Sequence, residues 1–304
     1  MNKHFRLLIA SGICISAMVL NSCGSEEVTP SEDPGTKPPI VKPIDPDKNQ
    51  GIITIGGEVF VIPSPIQTAD LLASSNATFN SDILNPTDNA ATYTTTFQKA
   101  LNMGIYGADL GYLTVYKIND KSTVYLKAVR GLANDIGLGN AFNEVLADKI
   151  NESMEDEGKM LQLVSEAYKT ADDYLKENKK DDVAALVIVG GWLESIYFAC
   201  NVAAETNDPN VVERIADQKS VLRTIIKMLK QYRDDEEYDD LAVELEDLRT
   251  IFDGVTFEYE FVDPVTNEAE KKTTIKSKHN VSISDDQVKQ ISAKINEIRN
   301  EITG

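Results

Sequence analysis

Along most of the chain the apolar residues recur every three or four positions. Met160, Val164, Ala167, Ala171 and Leu175 form one such series. Tyr238, Leu241, Leu245, Leu248 and Phe252 form a second, and Val288, Ile291, Ile295, Ile298 and Ile302 a third. Each draws a single apolar stripe along an otherwise charged segment, as an amphipathic helix lying on a core does. The last series also has its start written out: Ser284 and Gln287 make a capping-box pair, and Ile283 is placed to staple against Val288. Further helices are predicted near 66–75, 90–119, 121–137, 141–151 and 209–232. Breaks fall at Gly137-Leu138-Gly139, at 178–182 and at Asn207-Asp208-Pro209.

Two stretches change to a period of two. In residues 52–62 the β-branched Ile53, Ile55, Val59 and Val61 alternate around Gly56-Gly57, and Pro63 and Pro65 close the segment, which predicts a small hairpin. Residues 255–262 alternate in the same way, and 272–283 are rich in Thr, Ile and Ser, with Asp263-Pro264-Val265-Thr266-Asn267 as the bend. A β-hairpin over 255–283 follows, carrying His279 beside Lys276 and Lys278. The fold class expected is mainly α: an irregular α-helical bundle, or a short α-hairpin array of pairs at about 90–137, 155–205 and 209–253, with this β-hairpin near the C-terminus.

Two helical segments have no polar face. Residues 183–204 read VAALVIVGGWLESIYFACNVAA, with Trp192 as the chain's one tryptophan and Glu194 as the segment's one charge. A helix apolar all round is either a core helix or a membrane span. An ionised carboxylate at the centre of a bilayer costs about 2.5–3.5 kcal/mol even on lenient scales, so the core helix is the expectation. Residues 100–116 hold Gly104, Gly107 and Gly111 on one helix face, with Asp109 as their one charge. Each glycine costs a helix about 1 kcal/mol relative to alanine, a cost that close backbone approach offsets. Gly190-Gly191 offers a matching flat surface, so the two helices are expected to pack almost in contact.

Asp109 and Glu194 are therefore the candidate functional groups. Buried charges need partners, and the first expectation is structural pairing, with Arg130 on the neighbouring apolar helix as the base. The same carboxylates could line a ligand pocket with Tyr112 and Trp192, near Tyr106, Tyr116 and Tyr197, or act as an acid/base pair with raised pKa values.

The N-terminus reads as an address. Lys3 and Arg6 precede an apolar run too short for a stable span, which ends at Leu20-Asn21-Ser22-Cys23. That ending resembles the bacterial lipobox, whose cysteine is acylated and becomes the mature N-terminus. The organisation expected is a signal peptide at 1–22, lipidated Cys23 with a linker to residue 50, and a helical domain over 51–304. Pro30, Pro34, Pro38, Pro39, Pro43 and Pro46 keep the linker extended. Within it, residues 45–51 superficially match a calcium loop. The glycine does not directly follow Asn49, and Gly56 stands where the closing glutamate belongs, so linker is the assignment. Glu26 and Glu27, just after Cys23, resemble the surface-export signal of Bacteroidota lipoproteins.

Composition narrows the chemistry. The 304 residues carry 30 Lys+Arg against 49 Asp+Glu, a net charge of −19, which argues against nucleic acid as a partner. Of three Cys and two His, Cys14 and His4 fall in the signal and Cys23 takes lipid, which leaves Cys200 and His279. That excludes a disulfide framework and a Cys/His metal site, leaves little for a His-activated nucleophile, and no cofactor is expected. The acidic run 234–240 sits at a helix start, where it suits the dipole.

The run Val61-Ile62-Pro63-Ser64-Pro65-Ile66-Gln67-Thr68, the stretch 100–112 and Gly190-Gly191-Trp192-Leu193-Glu194-Ser195 together resemble a family of uncharacterised Bacteroidota helical lipoproteins. The resemblance implies a helical fold and an outer-membrane address, at the periplasmic face or the cell surface, and supplies no catalytic residue. The function expected is that of a lipid-anchored cell-envelope binding or scaffolding module with an envelope protein as partner. The alternatives are a carboxylate-dependent hydrolase using Asp109 and Glu194, and a small-ligand carrier.

Overall fold

The core is organised around one helix. A computed structural model describes residues 52–55, 58–61, 65–139, 149, 174, 177–267, 272–274 and 277–304. The signal, the Cys23 lipidation site, the linker with its calcium-like run, the Gly56-Gly57 turn and, but for residues 149 and 174, the helix at 141–151 and the Met160–Leu175 stripe lie outside the described residues. The helices are α1 (Pro65–Ser74), α2 (Thr96–Val115), α3 (Asn119–Asp135), α4 (Asp181–Thr206), α5 (Pro209–Leu229), α6 (Glu236–Phe252) and α7 (Asp285–Thr303). The strands are β1 (Ile52–Ile55), β2 (Glu58–Val61), β3 (Thr256–Glu260), β4 (Val265–Asn267), β5 (Lys272–Thr274) and β6 (Lys278–Ser282).

α4 is the apolar segment, and α1, α2, α5 and α7 pack directly around it. From Val183 to Val202 it is buried except at Ile188, Tyr197 and Asn201, which reach the surface in part. It is long and apolar enough to cross a membrane, yet in this fold its surface is covered by its neighbours. The arrangement is an irregular bundle about a central helix, with α6 bridging α5 and α7.

α2 and α4 approach to backbone contact, as their glycines anticipate. A Cβ added at Gly104 would collide with the Val187 carbonyl oxygen, and one at Gly190 with the Leu101 carbonyl oxygen. Those glycines are required by the crossing itself rather than by backbone conformation.

Local signals fix most helix ends. Ser284 and Gln287 form the reciprocal capping box at the start of α7. Asp235 caps α6, whose first turn holds Glu236, Glu237 and Asp239 from the acidic run. Asp208 caps α5, with Pro209 opening the helix. The helix expected from residue 90 starts later, because Thr95 and Gln98 make a second capping box there and residues Thr87–Ala91 form a separate 3-10 turn. α2 closes with Lys117 in the left-handed region at φ 59° and the Ile118 amide bonded to the Leu113 carbonyl.

β1 and β2 pair antiparallel with Ile55 opposite Glu58. Near the C-terminus β3 pairs antiparallel with β6, Phe257 facing Val281 and Tyr259 facing His279. β4 and β5 continue the same excursion, Val265 facing Thr274. Ser277 joins the two pairs, its hydroxyl accepting from the Val262 amide and donating to the Val262 carbonyl. The 255–283 hairpin is thus a long two-stranded ribbon. All five residues of β3 are exposed.

Candidate functional site

Asp109 comes from the middle of α2 and Glu194 from the middle of α4, and both are 0% exposed. The crossing of the two helices brings these carboxyls together. The base that meets them is Arg299 of α7, not Arg130. Arg299 donates from Nε to Glu194 Oε2 at 2.6 Å and from Nη2 to Glu194 Oε1 at 2.7 Å, a two-pronged ion pair. The same Nη2 also donates to the Ile83 carbonyl at 3.1 Å. The guanidinium lies over the Tyr197 ring, 4.2 Å from its centroid. Arg130, half-buried on α3, takes no part in the pair.

The cluster carries one more carboxyl than it has bases. Burial pushes Asp109 well above the ordinary carboxylate range, and the negative charge of Glu194 pushes it the same way, against Arg299 and the Asn85 backbone. Burial also raises Glu194, but the bonds and charge of Arg299 oppose the rise. Burial works against the charge of Arg299, and Glu194 more than compensates. One state follows the direction of these shifts and balances the charges: Arg299 positive, Glu194 ionised, Asp109 protonated. The cluster is then neutral inside the protein, as a buried set of charges must be. Neither Asp109 oxygen has a partner at full hydrogen-bonding geometry, although Glu194 lies close enough for each carboxyl to move the other's ionisation.

Neutral polar groups surround the cluster and hold the end of α7. Asn102 Nδ2 donates to the Ile302 carbonyl at 3.0 Å, and the Tyr93 hydroxyl to the Thr303 carbonyl at 3.2 Å. Asn85 Nδ2 donates to both Tyr93 and Asn102, and Tyr125 donates to the Asn85 carbonyl at 2.9 Å. Tyr106 donates to the Pro86 carbonyl at 2.8 Å. The bonds to Ile302 and Thr303 satisfy carbonyls that the end of α7 leaves open, and the one from Asn102 ties α7 to α2.

The other candidates separate from this centre. The Trp192 indole donates to Gln218 Oε1 at 3.0 Å, which places it in the α4–α5 interface. Tyr112 is buried, stacked on Phe198 with centroids 4.6 Å apart, and its hydroxyl accepts from the Asn80 amide. Cys200 is buried, and burial pushes its thiol up to about 12, so it behaves as a small apolar group.

Sequence reasoning missed Arg299, Asn85 and Asn102. Arg299 had a readable signal: it follows Ile295 by four positions and so falls on the apolar stripe of α7. The polar residues at 85 and 102 had none.

A second feature lies on the surface. Phe257, Tyr259 and Phe261 are 38%, 48% and 57% exposed; Phe257 and Tyr259 lie on one side of β3, and Phe261 directly follows the strand. No protein-family model, no curated protein and no solved structure matches this chain.

Proposed function

We propose that the chain is a lipid-anchored envelope scaffold, held to the outer membrane through Cys23, spaced from it by the proline-rich linker, and presenting the 256–282 ribbon to another envelope protein. The observation that carries the reading is the exposed aromatic row Phe257, Tyr259 and Phe261. Aromatic residues are enriched in protein interfaces, where they supply most of the energy per residue. A two-stranded ribbon is marginal by itself, and among the described residues β3 and β6 pair only with each other, so a partner strand could extend the sheet. The acidic body gains nothing from an anionic leaflet, so the acyl chains do the anchoring.

A hydrolase built on Asp109 and Glu194 has less support. Substrate would have to reach groups that are fully buried, and Glu194 is already engaged by both prongs of Arg299.

The test places a photo-crosslinking residue at Tyr259 in the full-length protein, in its own membrane. The reading expects one dominant crosslinked protein, together with release into the soluble fraction when Cys23→Ser is introduced with the signal still cleaved. Retention of Cys23→Ser in the membrane would overturn the anchoring. An unlabelled Tyr259 alongside labelled helical positions would overturn the ribbon's role.

A further inference from the structure

A surface cleft of about 320 Å³ lies between the loop after α1 and the last turns of α4, lined by Thr78, Phe79, Asn80, Asn201 and Glu205 over a floor that includes Tyr112. Its walls are rich in acceptors. Thr78 donates to Glu205 Oε1 twice, from its amide at 3.2 Å and its hydroxyl at 2.7 Å, which fixes the carboxylate. Both bonds fall on Oε1, so Oε2 remains to accept from elsewhere. The Asn201 amide nitrogen donates to the Tyr197 carbonyl at 2.8 Å, which commits its donor end and leaves its carbonyl oxygen as an acceptor. Glu205 and Asn201 both stand at the C-terminal end of α4, where the helix dipole is negative. Phe79 adds a ring face, and the Lys121 ammonium already lies 5.9 Å from its centroid, evidence that the ring accommodates a cation.

Fixed acceptors, a helix's negative end and an aromatic wall are together complementary to one chemistry. We propose that this cleft binds the ammonium group of a small primary amine, through N–H donation to Glu205 Oε2 and the Asn201 carbonyl and packing of its carbon chain on Phe79. The Thr78 bonds hold Glu205 ionised, drawing its carboxyl below the usual range, so a protonated amine is the matching form. The volume falls at the small end of ligand sites, which suits a compact amine. This site shares no residue with the ribbon, so its fate is independent of the scaffold reading.

The experiment titrates the full-length protein with butylammonium chloride by calorimetry, against tetramethylammonium chloride and sodium chloride at matched ionic strength. Butylammonium is expected to saturate one site. Tetramethylammonium, which has no N–H, is expected to bind about tenfold more weakly, as loss of a charge-assisted hydrogen bond entails. Glu205→Gln keeps an oxygen for Thr78 but not the charge, so it should weaken butylammonium by about tenfold or more at an unchanged melting temperature. Absence of saturation, equal binding of the three salts, or undiminished affinity in Glu205→Gln would each overturn the proposal.

Discussion

The interior cluster and the surface ribbon invert the usual placement of residue types. At the crossing of α2, α4 and α7 the protein buries two carboxyls and a guanidinium. On the ribbon it sets two phenylalanines and a tyrosine in water. The structural pairing expected of the buried charges is made by Arg299, which spans from Glu194 to the Ile83 carbonyl and draws three elements together. The aromatics Phe257, Tyr259 and Phe261 lie exposed on the surface instead. Solvent access and partners, more than residue type, separate what holds this fold together from what it can offer.

The comparison can be broken hardest at Arg299. Arg299→Met leaves the buried Glu194 carboxylate without its counter-charge and is expected to cost about 3–5 kcal/mol in urea unfolding at neutral pH. Adding Glu194→Leu to that variant should recover most of the loss, because removing both partners costs far less than stranding one. Loss that persists in the double variant would mean that the cluster is held by something other than the pair.

Gly190→Ala tests the crossing that builds the cluster. The new methyl would meet the Leu101 carbonyl, which is backbone and cannot swing aside, and a loss of about 1–3 kcal/mol or more is expected by thermal unfolding. An unchanged melting temperature would argue against the close approach.

Asp109→Asn sharpens the account of the shared proton. The native state holds Asp109 protonated above its ordinary 3.8, where the unfolded chain releases the proton. Its contribution is therefore full below 3.8 and is lost as pH rises toward the raised native value. The asparagine keeps the shape and a donor but has no proton to lose. The variant should gain on the wild type by up to roughly 1.4 kcal/mol per pH unit across that window, read from paired urea curves. A difference that stays flat with pH would place the proton elsewhere.

The smallest stability effect belongs to the ribbon. Tyr259→Ser or Phe261→Ser should change unfolding free energy by no more than about 0.5 kcal/mol, as exposed positions generally do. A cost of several kcal/mol would make the aromatic row part of the core.

Much of this was legible in the sequence, and the reason differs by element. α6 and α7 declare themselves because an apolar stripe repeats along each, α4 because it is apolar all round, and α7 is marked even at its start by Ser284 and Gln287. The α2–α4 contact was legible because glycines are costly in a helix unless something approaches them. Glu194's partner was not, since Arg299 lies 105 residues away in sequence and helical periodicity assigns a face without naming what lies across from it. Arg130 fits an apolar helix equally well, and tertiary packing alone separates the two. The start of α2 went to residue 90 because an apolar count carries on through the 3-10 turn, whereas the Thr95–Gln98 pair marks the true beginning. Exposure of all of β3 was hidden for a similar reason: alternation describes a strand's two sides and says nothing of whether either is covered.

The most direct test of the central claim is partner capture by the full-length protein carrying Phe257→Ser, Tyr259→Ser and Phe261→Ser together, crosslinked in its native membrane. The account predicts that the wild-type crosslinked species disappears while the melting temperature holds. Capture that persists in the triple variant would contradict it.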